Sequence, residues 1–179
     1  QNVGDTIILL GDNKDELGAS EYLYVIEGLV AGEPPSVDLL GERSLQHAVL
    51  AMIQNGLLNS AHDVSEGGLA CALAESALGE GEDPLGVHIT LRDAVPVLPL
   101  LFGEAQGRVV VSCSPRSADE VLVLAKHHGV PCRAVGHVVE SDEGFRIDGR
   151  ATTLEVDVKT LAELFFGAIP TLMDGAGPS

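Results

Sequence analysis

Tryptophan is absent from this chain, and four Phe and two Tyr make up its 3% of aromatic residues. The core must therefore be assembled from Leu, Val, Ile and Ala. Positive charge is scarce as well: ten Lys and Arg stand against 27 Asp and Glu, a net charge of −17. That balance argues against nucleic-acid binding, and against binding an anionic membrane, by general electrostatics. A nucleotide site here has to be local and metal-assisted. Three cysteines, Cys71, Cys113 and Cys132, are odd in number, widely spaced and free of any CxxC pair. They read as buried, inert thiols of a reducing cytoplasm. No signal peptide is visible, and no apolar run is long enough to cross a bilayer. Internal repeats and low-complexity segments are lacking too. The opening Gln1-Asn2-Val3-Gly4-Asp5 has no Met and enters a strand almost at once, the expected look of a piece of something longer.

What is present is 179 residues at 45% hydrophobic, enough for one large domain or two small ones with a real core. The chain is organised around Ala61-His62-Asp63-Val64-Ser65-Glu66-Gly67-Gly68-Leu69. Polar groups and two glycines crowd one turn, directly before a Leu- and Ala-rich run, 69–78, whose polar members are Glu75 and Ser76. Intrinsic propensity makes that run a helix, and its nearly all-round apolar character predicts burial. Residues 57–62 read as an extended approach, so the polar turn lies where a strand hands over to a buried helix. The first turn of a helix offers free N–H groups and a positive dipole end, which suit an anion. Gly67 and Gly68 allow close approach of another backbone or a phosphate. Asp63 is a hard carboxylate of the kind that, with phosphate oxygens and water, completes a magnesium octahedron. Ser65 can cap the helix or bond a phosphate. The plainer reading, in which Asp63 and Ser65 only cap, stands beside the functional one.

In chain order, 6–10 is a buried strand, 21–29 a helix capped by Ser20, and 31–37, with Pro34-Pro35, a connector. Apolar spacing predicts an amphipathic helix over 44–57, ended by Asn55-Gly56. His47 within it reads as structural, and His62 either positions a phosphate or makes a structural hydrogen bond. Residues 79–84 form a loop, 87–91 a strand, 95–102 an irregular stretch or short helix, and 109–112 a strand. Glu104, Gln106 and Arg108 precede that strand as either a polar site at its mouth or an ordinary edge of charge. Ser117 and Glu120 have capping-box spacing for a helix to His128, with Gly129 as its stop. His127 and His128 are a poor metal pair. Strands follow at 132–139, 145–147 and 151–156, with a hairpin turn at Asp148-Gly149, then an amphipathic helix over 158–173 and a loose tail, 174–179. The mixture predicts a layered α/β (α+β) domain with a mixed sheet, its second half a split βαβ of ferredoxin-like kind.

The turn HDVSEGGLACALAE resembles the last, C-terminal-type domain of the phosphoribosylformylglycinamidine synthase family. So do Gly4-Asp5 with the first strand, the loop Asp15 to Tyr22 (DELGASEY), Phe102 to Arg108 (FGEAQGR), Val135-Gly136-His137-Val138, and the closing Ala168-Ile169-Pro170. The resemblance implies a single domain over 1–179 with three α/β/α layers, like the C-terminal domain of aminoimidazole ribonucleotide (AIR) synthase. It implies a part in the ATP-dependent amidation of formylglycinamide ribonucleotide, a carbon–nitrogen ligase step of purine biosynthesis in the cytoplasm, with glutamine as amide donor. Mg2+ and ATP are the implied cofactors, Asp63 the metal ligand and Ser65 the nucleotide contact. Glu104, Gln106 and Arg108 match a polar motif of the family, with Ala105 where that motif has serine, and together with His62 they are the candidates for a further polar site. The implied partners are N-terminal domains of the same enzyme, a glutaminase that is separate or fused, and a small accessory subunit. The family's catalytic histidine belongs to those N-terminal domains, so no catalytic residue is assigned here and the isolated chain is expected to be inactive. Rival readings are another synthetase of the superfamily, for aminoimidazole ribonucleotide or selenophosphate, and a non-catalytic scaffold domain. The ELGASEY loop speaks against both rival synthetases.

Overall fold

The computed structural model describes residues 1–79, 83–150 and 152–173. Its centre is one seven-stranded mixed sheet. In chain order the strands are β1 (Thr6–Leu10), β2 (Ser60–Asp63), β3 (Gly86–Thr90), β4 (Val109–Cys113), β5 (Cys132–Val139), β6 (Phe145–Asp148) and β7 (Thr153–Val156). Their order across the sheet is β2-β4-β1-β5-β3-β6-β7, antiparallel throughout except for the β3–β6 pair. The helices are α1 (Glu21–Val25), α2 (Leu39–Gln54), α3 (Gly68–Leu78), α4 (Val97–Phe102), α5 (Ala118–His127) and α6 (Val158–Met173).

Strand alternation explains the layers. On β1, Ile7 and Leu9 face one way and join Leu69 and Leu73 of α3, Leu100 of α4 and Val158 of α6. Ile8 and Leu10 face the other way, among Leu45, Ala48 and Met52 of α2 and Val121 and Ala125 of α5. The sheet is thus covered on both sides, giving the expected α/β/α sandwich. Each fully buried Leu or Ile in these layers contributes about 1.5–3 kcal/mol through removal of apolar surface from water. The split βαβ is present: β4, α5 and β5 form the unit, and β1 pairs antiparallel with both strands between them. The inserted strand comes from the start of the chain, not from its second half.

Several boundaries depart from the sequence reading. The helix expected over 21–29 stops at Val25, for none of its residues is buried and no core rewards its extension. The helix expected from Ser44 begins at Leu39, where the Asp38 side chain accepts from the Leu40 N–H at 3.0 Å. The strand expected at 151–156 is Thr153–Val156, and the irregular stretch 95–102 resolves into α4. Ser117 makes no side-chain cap; its hydroxyl pairs with that of Ser114 at 2.9 Å instead. A capping box occurs where none was expected, between Glu140 and Glu143 around a short 3-10 turn. The tail over 174–179 lies outside the described residues, as does part of the loop expected over 79–84. Cys113 is buried, whereas Cys71 and Cys132 are half-buried, a correction to the expectation of three buried thiols.

Candidate functional site

Asp63 is the last residue of β2, Gly68 the first of α3, and Leu69, Leu73 and Leu78 of that helix are buried. The polar turn therefore sits between a strand end and the start of a buried helix, as the composition predicts. Gly67 and Gly68 both adopt the left-handed conformation, with φ of 76° and 73°. At Gly68 the need for glycine is double, because a Cβ there would lie 2.7 Å from the Phe102 carbonyl carbon. This close approach seats the start of α3 against the end of α4.

No side chain caps α3. The reading of Asp63 and Ser65 as helix caps is therefore overturned. The group that meets the free backbone is Glu104, whose Oε1 accepts from the Gly67 N–H at 3.0 Å and from the Glu21 N–H at 2.9 Å. One carboxylate oxygen thus ties the glycine turn to the DELGASEY loop, 37 and 83 residues away along the chain. Tyr22 stacks on Phe102 at 5.1 Å between ring centres and closes the same junction. Within the loop, Ser20 donates to the Leu17 carbonyl at 2.7 Å and accepts from the Leu23 N–H, while Ser36 donates to Glu16 at 2.6 Å. Three motifs that stood apart in the sequence meet at Glu104.

Arg108 is equally committed to the fold. Only 3% exposed, it donates from Nε to the Ala105 carbonyl (3.0 Å), from Nη2 to the Gly103 carbonyl (2.6 Å) and from Nη1 to Asn13 Oδ1 (3.0 Å). Its guanidinium closes the 103–108 loop on itself and ties it to the turn after β1. Among the described residues it has no salt bridge. Burial pushes its pKa down to about 10, partly opposed by the Glu16 carboxylate. Cys71, on α3, has its thiol pushed up by burial and then by the charges of Glu75 and Glu104, which keeps it unreactive.

Asp63 and Ser65 behave differently. Both are exposed, and among the described residues neither side chain takes a hydrogen-bond partner. They line a cleft of about 410 Å³ together with Gln106, Gly107 and Arg108, facing Glu42, Val49 and Ile53 of α2. Gln106 is exposed there, and among the described residues its side chain bonds only the Glu104 carbonyl, at 3.3 Å. His62 does not join the cleft: alternation along β2 turns it to the other side. There Nε2 lies 3.2 Å from Glu75 of α3, and Nδ1 lies 2.7 Å from the Asp63 carbonyl. Glu104 is also missing from the cleft walls. Of the sequence-selected polar groups, the fold brings Asp63, Ser65, Gln106 and Arg108 together and leaves His62 and Glu104 outside. Glu42 and the apolar wall of α2 were missed as cleft residues; the start of α2 at Asp38 would have been the signal.

The donor set limits the chemistry. Among the described residues no three His, Cys, Asp or Glu side chains converge to hold a metal. A lone free carboxylate beside a hydroxyl does fit magnesium that takes its remaining ligands from phosphate and water. It does not fit a closed, all-protein metal centre.

The profile of the AIR synthase related protein C-terminal domain family matches residues 2–149. Over 170 residues the chain is 42% identical to the phosphoribosylformylglycinamidine synthase subunit PurL of Caldanaerobacter subterraneus, covering 95% of this chain and 23% of that protein. Its fold is similar to Thermotoga maritima PurL complexed with FGAR (TM-score 0.70, 27% identity, 90% of this chain and 28% of that one). The same organism's PurL complexed with ATP gives a TM-score of 0.68 at 27% identity, over 90% of this chain and 26% of that one. The chain thus spans about a quarter of the length of the relatives it matches.

Proposed function

Because the chain belongs to the AIR synthase related protein C-terminal domain family, we propose that it forms, over 1–179, the C-terminal domain of a phosphoribosylformylglycinamidine synthase subunit. The reaction joins formylglycinamide ribonucleotide, ATP and ammonia to give formylglycinamidine ribonucleotide, ADP and phosphate. The γ-phosphoryl group passes to the amide oxygen, ammonia adds to the activated carbon, and phosphate leaves with that oxygen. A glutaminase partner, fused or separate, releases the ammonia from glutamine.

The observation that carries the reading is the free Asp63–Ser65 edge, held rigidly by Glu104 and Gly68 and open to the cleft against α2. Magnesium, when bound, neutralises phosphate charge. Asp63 is its anchor in this domain, and the Ser65 hydroxyl donates to a phosphate oxygen. Gln106, with an unspent amide oxygen, faces the same space. Arg108 acts from behind, keeping the 103–108 loop in shape, since three of its five N–H donors are already taken by the Ala105 and Gly103 carbonyls and by Asn13. A net charge of −17 gives no field that attracts a triphosphate, so affinity depends on the metal and on surfaces supplied by the rest of a longer chain.

The test is an assay of the full-length protein with formylglycinamide ribonucleotide, Mg-ATP and ammonium, following ADP release and the amidine product. Product formation that requires all three supports the proposal. Turnover of aminoimidazole ribonucleotide precursors or of selenide instead would refute it. Calorimetry of the 179-residue chain with Mg-ATP should show binding weaker than the micromolar range; tighter binding would mean that this domain carries a complete nucleotide site.

A further inference from the structure

From Leu164 to Met173 the last helix reads LFFGAIPTLM, and Thr171 is its only polar side chain. Among the described residues the fold does not cover it. Leu164 is 68% exposed, Ile169 69% and Met173 82%, and Val158 is the one buried residue of α6. A helix apolar on every side is normally an interior helix, and an exposed apolar surface of this extent marks an interface. Beside it runs a groove of about 650 Å³, walled by Ala74 and Leu78 of α3 and by Leu161, Phe165 and Ile169 of α6. We infer that this helix and groove are the seat of another domain of the same long synthetase chain, which lays an apolar ridge between α3 and α6.

Three observations select that occupant. The family profile ends at residue 149, before β7 and α6, so the apolar helix is an addition to the domain that the family shares. Identity to the Caldanaerobacter subunit nonetheless extends over 95% of the chain, which carries the addition into the long synthetases. That subunit has more than three-quarters of its length outside the matching part, and so has the domains with which to fill the groove. A second copy is disfavoured, because each copy brings a net charge of −17. An anionic membrane surface is disfavoured for the same reason, since it would repel a domain of net charge −17.

The inference rests on the proposed place in a long synthetase subunit, but its test reads packing and not turnover, so the two stand or fall separately. Amide hydrogen exchange is followed in this chain and in the full-length Caldanaerobacter subunit, with the helix matching α6 scaled to the one matching α3 within each molecule. Exchange in the α6 helix should be slower by about tenfold or more in the long subunit. In this chain, Leu164→Lys with Ile169→Lys should leave α3 exchange and the monomeric state unchanged, since both residues are exposed. Equal scaled exchange in the two proteins would overturn the inference. So would protection of α6 in this chain that grows with its concentration and vanishes in the double variant, for that would make a second copy the occupant.

Discussion

The loop 103–108 and the turn 63–65 contribute to the same cleft yet use their polar groups in opposite ways. In the loop, the Glu104 carboxylate and the Arg108 guanidinium are directed into the protein and bonded to backbone groups or Asn13. In the turn, Asp63 and Ser65 face the cleft with their hydrogen-bonding capacity unspent. The lesson is that a charged motif is read by where its lone pairs and protons go. A group whose bonds are already satisfied by the fold positions a site; a free group at a rigid edge can bind. If this contrast is right, substitutions in the loop should cost stability and those in the turn should cost ligand.

The largest effect is expected at Arg108. Arg108→Ala strips partners from the Ala105 and Gly103 carbonyls and from Asn13, and should destabilise the chain by about 3–5 kcal/mol in urea unfolding. A loss under about 1 kcal/mol would mean that the guanidinium is not holding the loop. Next comes Gly68→Ala, which places a Cβ in a left-handed residue and against the Phe102 backbone. About 2–3 kcal/mol should be lost, with α3 and α4 loosening together in hydrogen exchange. Smaller again is Glu104→Ala, which leaves the Gly67 and Glu21 N–H groups unpaired and should cost about 1–3 kcal/mol. Glu104→Gln keeps an acceptor oxygen and should recover most of that stability. Equal losses in the two Glu104 variants would show that charge, and not the shared hydrogen bond, matters there.

Much of this architecture was legible in local pattern. The β-branched run of β1, the Ala/Leu composition of α3 and the glycine pair before it each specify an element from nearest neighbours. The start of α2 was not, because Leu39-Leu40-Gly41 after two prolines looks like more connector; Asp38 makes the cap that reveals it. Ser117 illustrates the reverse error, since correct box spacing lost to a nearer hydroxyl on Ser114. The site divided along the same line. Asp63 and Ser65 stand out because a helix start concentrates them locally. The roles of Glu104 and His62 depend on partners at Gly67, Glu21 and Glu75, which the folded sheet alone brings within reach.

The account is tested most directly by Asp63→Asn in the full-length protein, with unfolding and Mg-ATP titration measured on one preparation. The amide keeps the shape of the side chain and removes the charge that magnesium needs. Stability should stay within about 0.5 kcal/mol of wild type, as expected for an exposed side chain with no partner among the described residues. Mg-ATP affinity at the site that this domain completes should fall by about tenfold or more, with altered metal dependence. Unchanged affinity and metal dependence, or a stability loss approaching that of Arg108→Ala, would contradict the division between a bonded loop and a free turn.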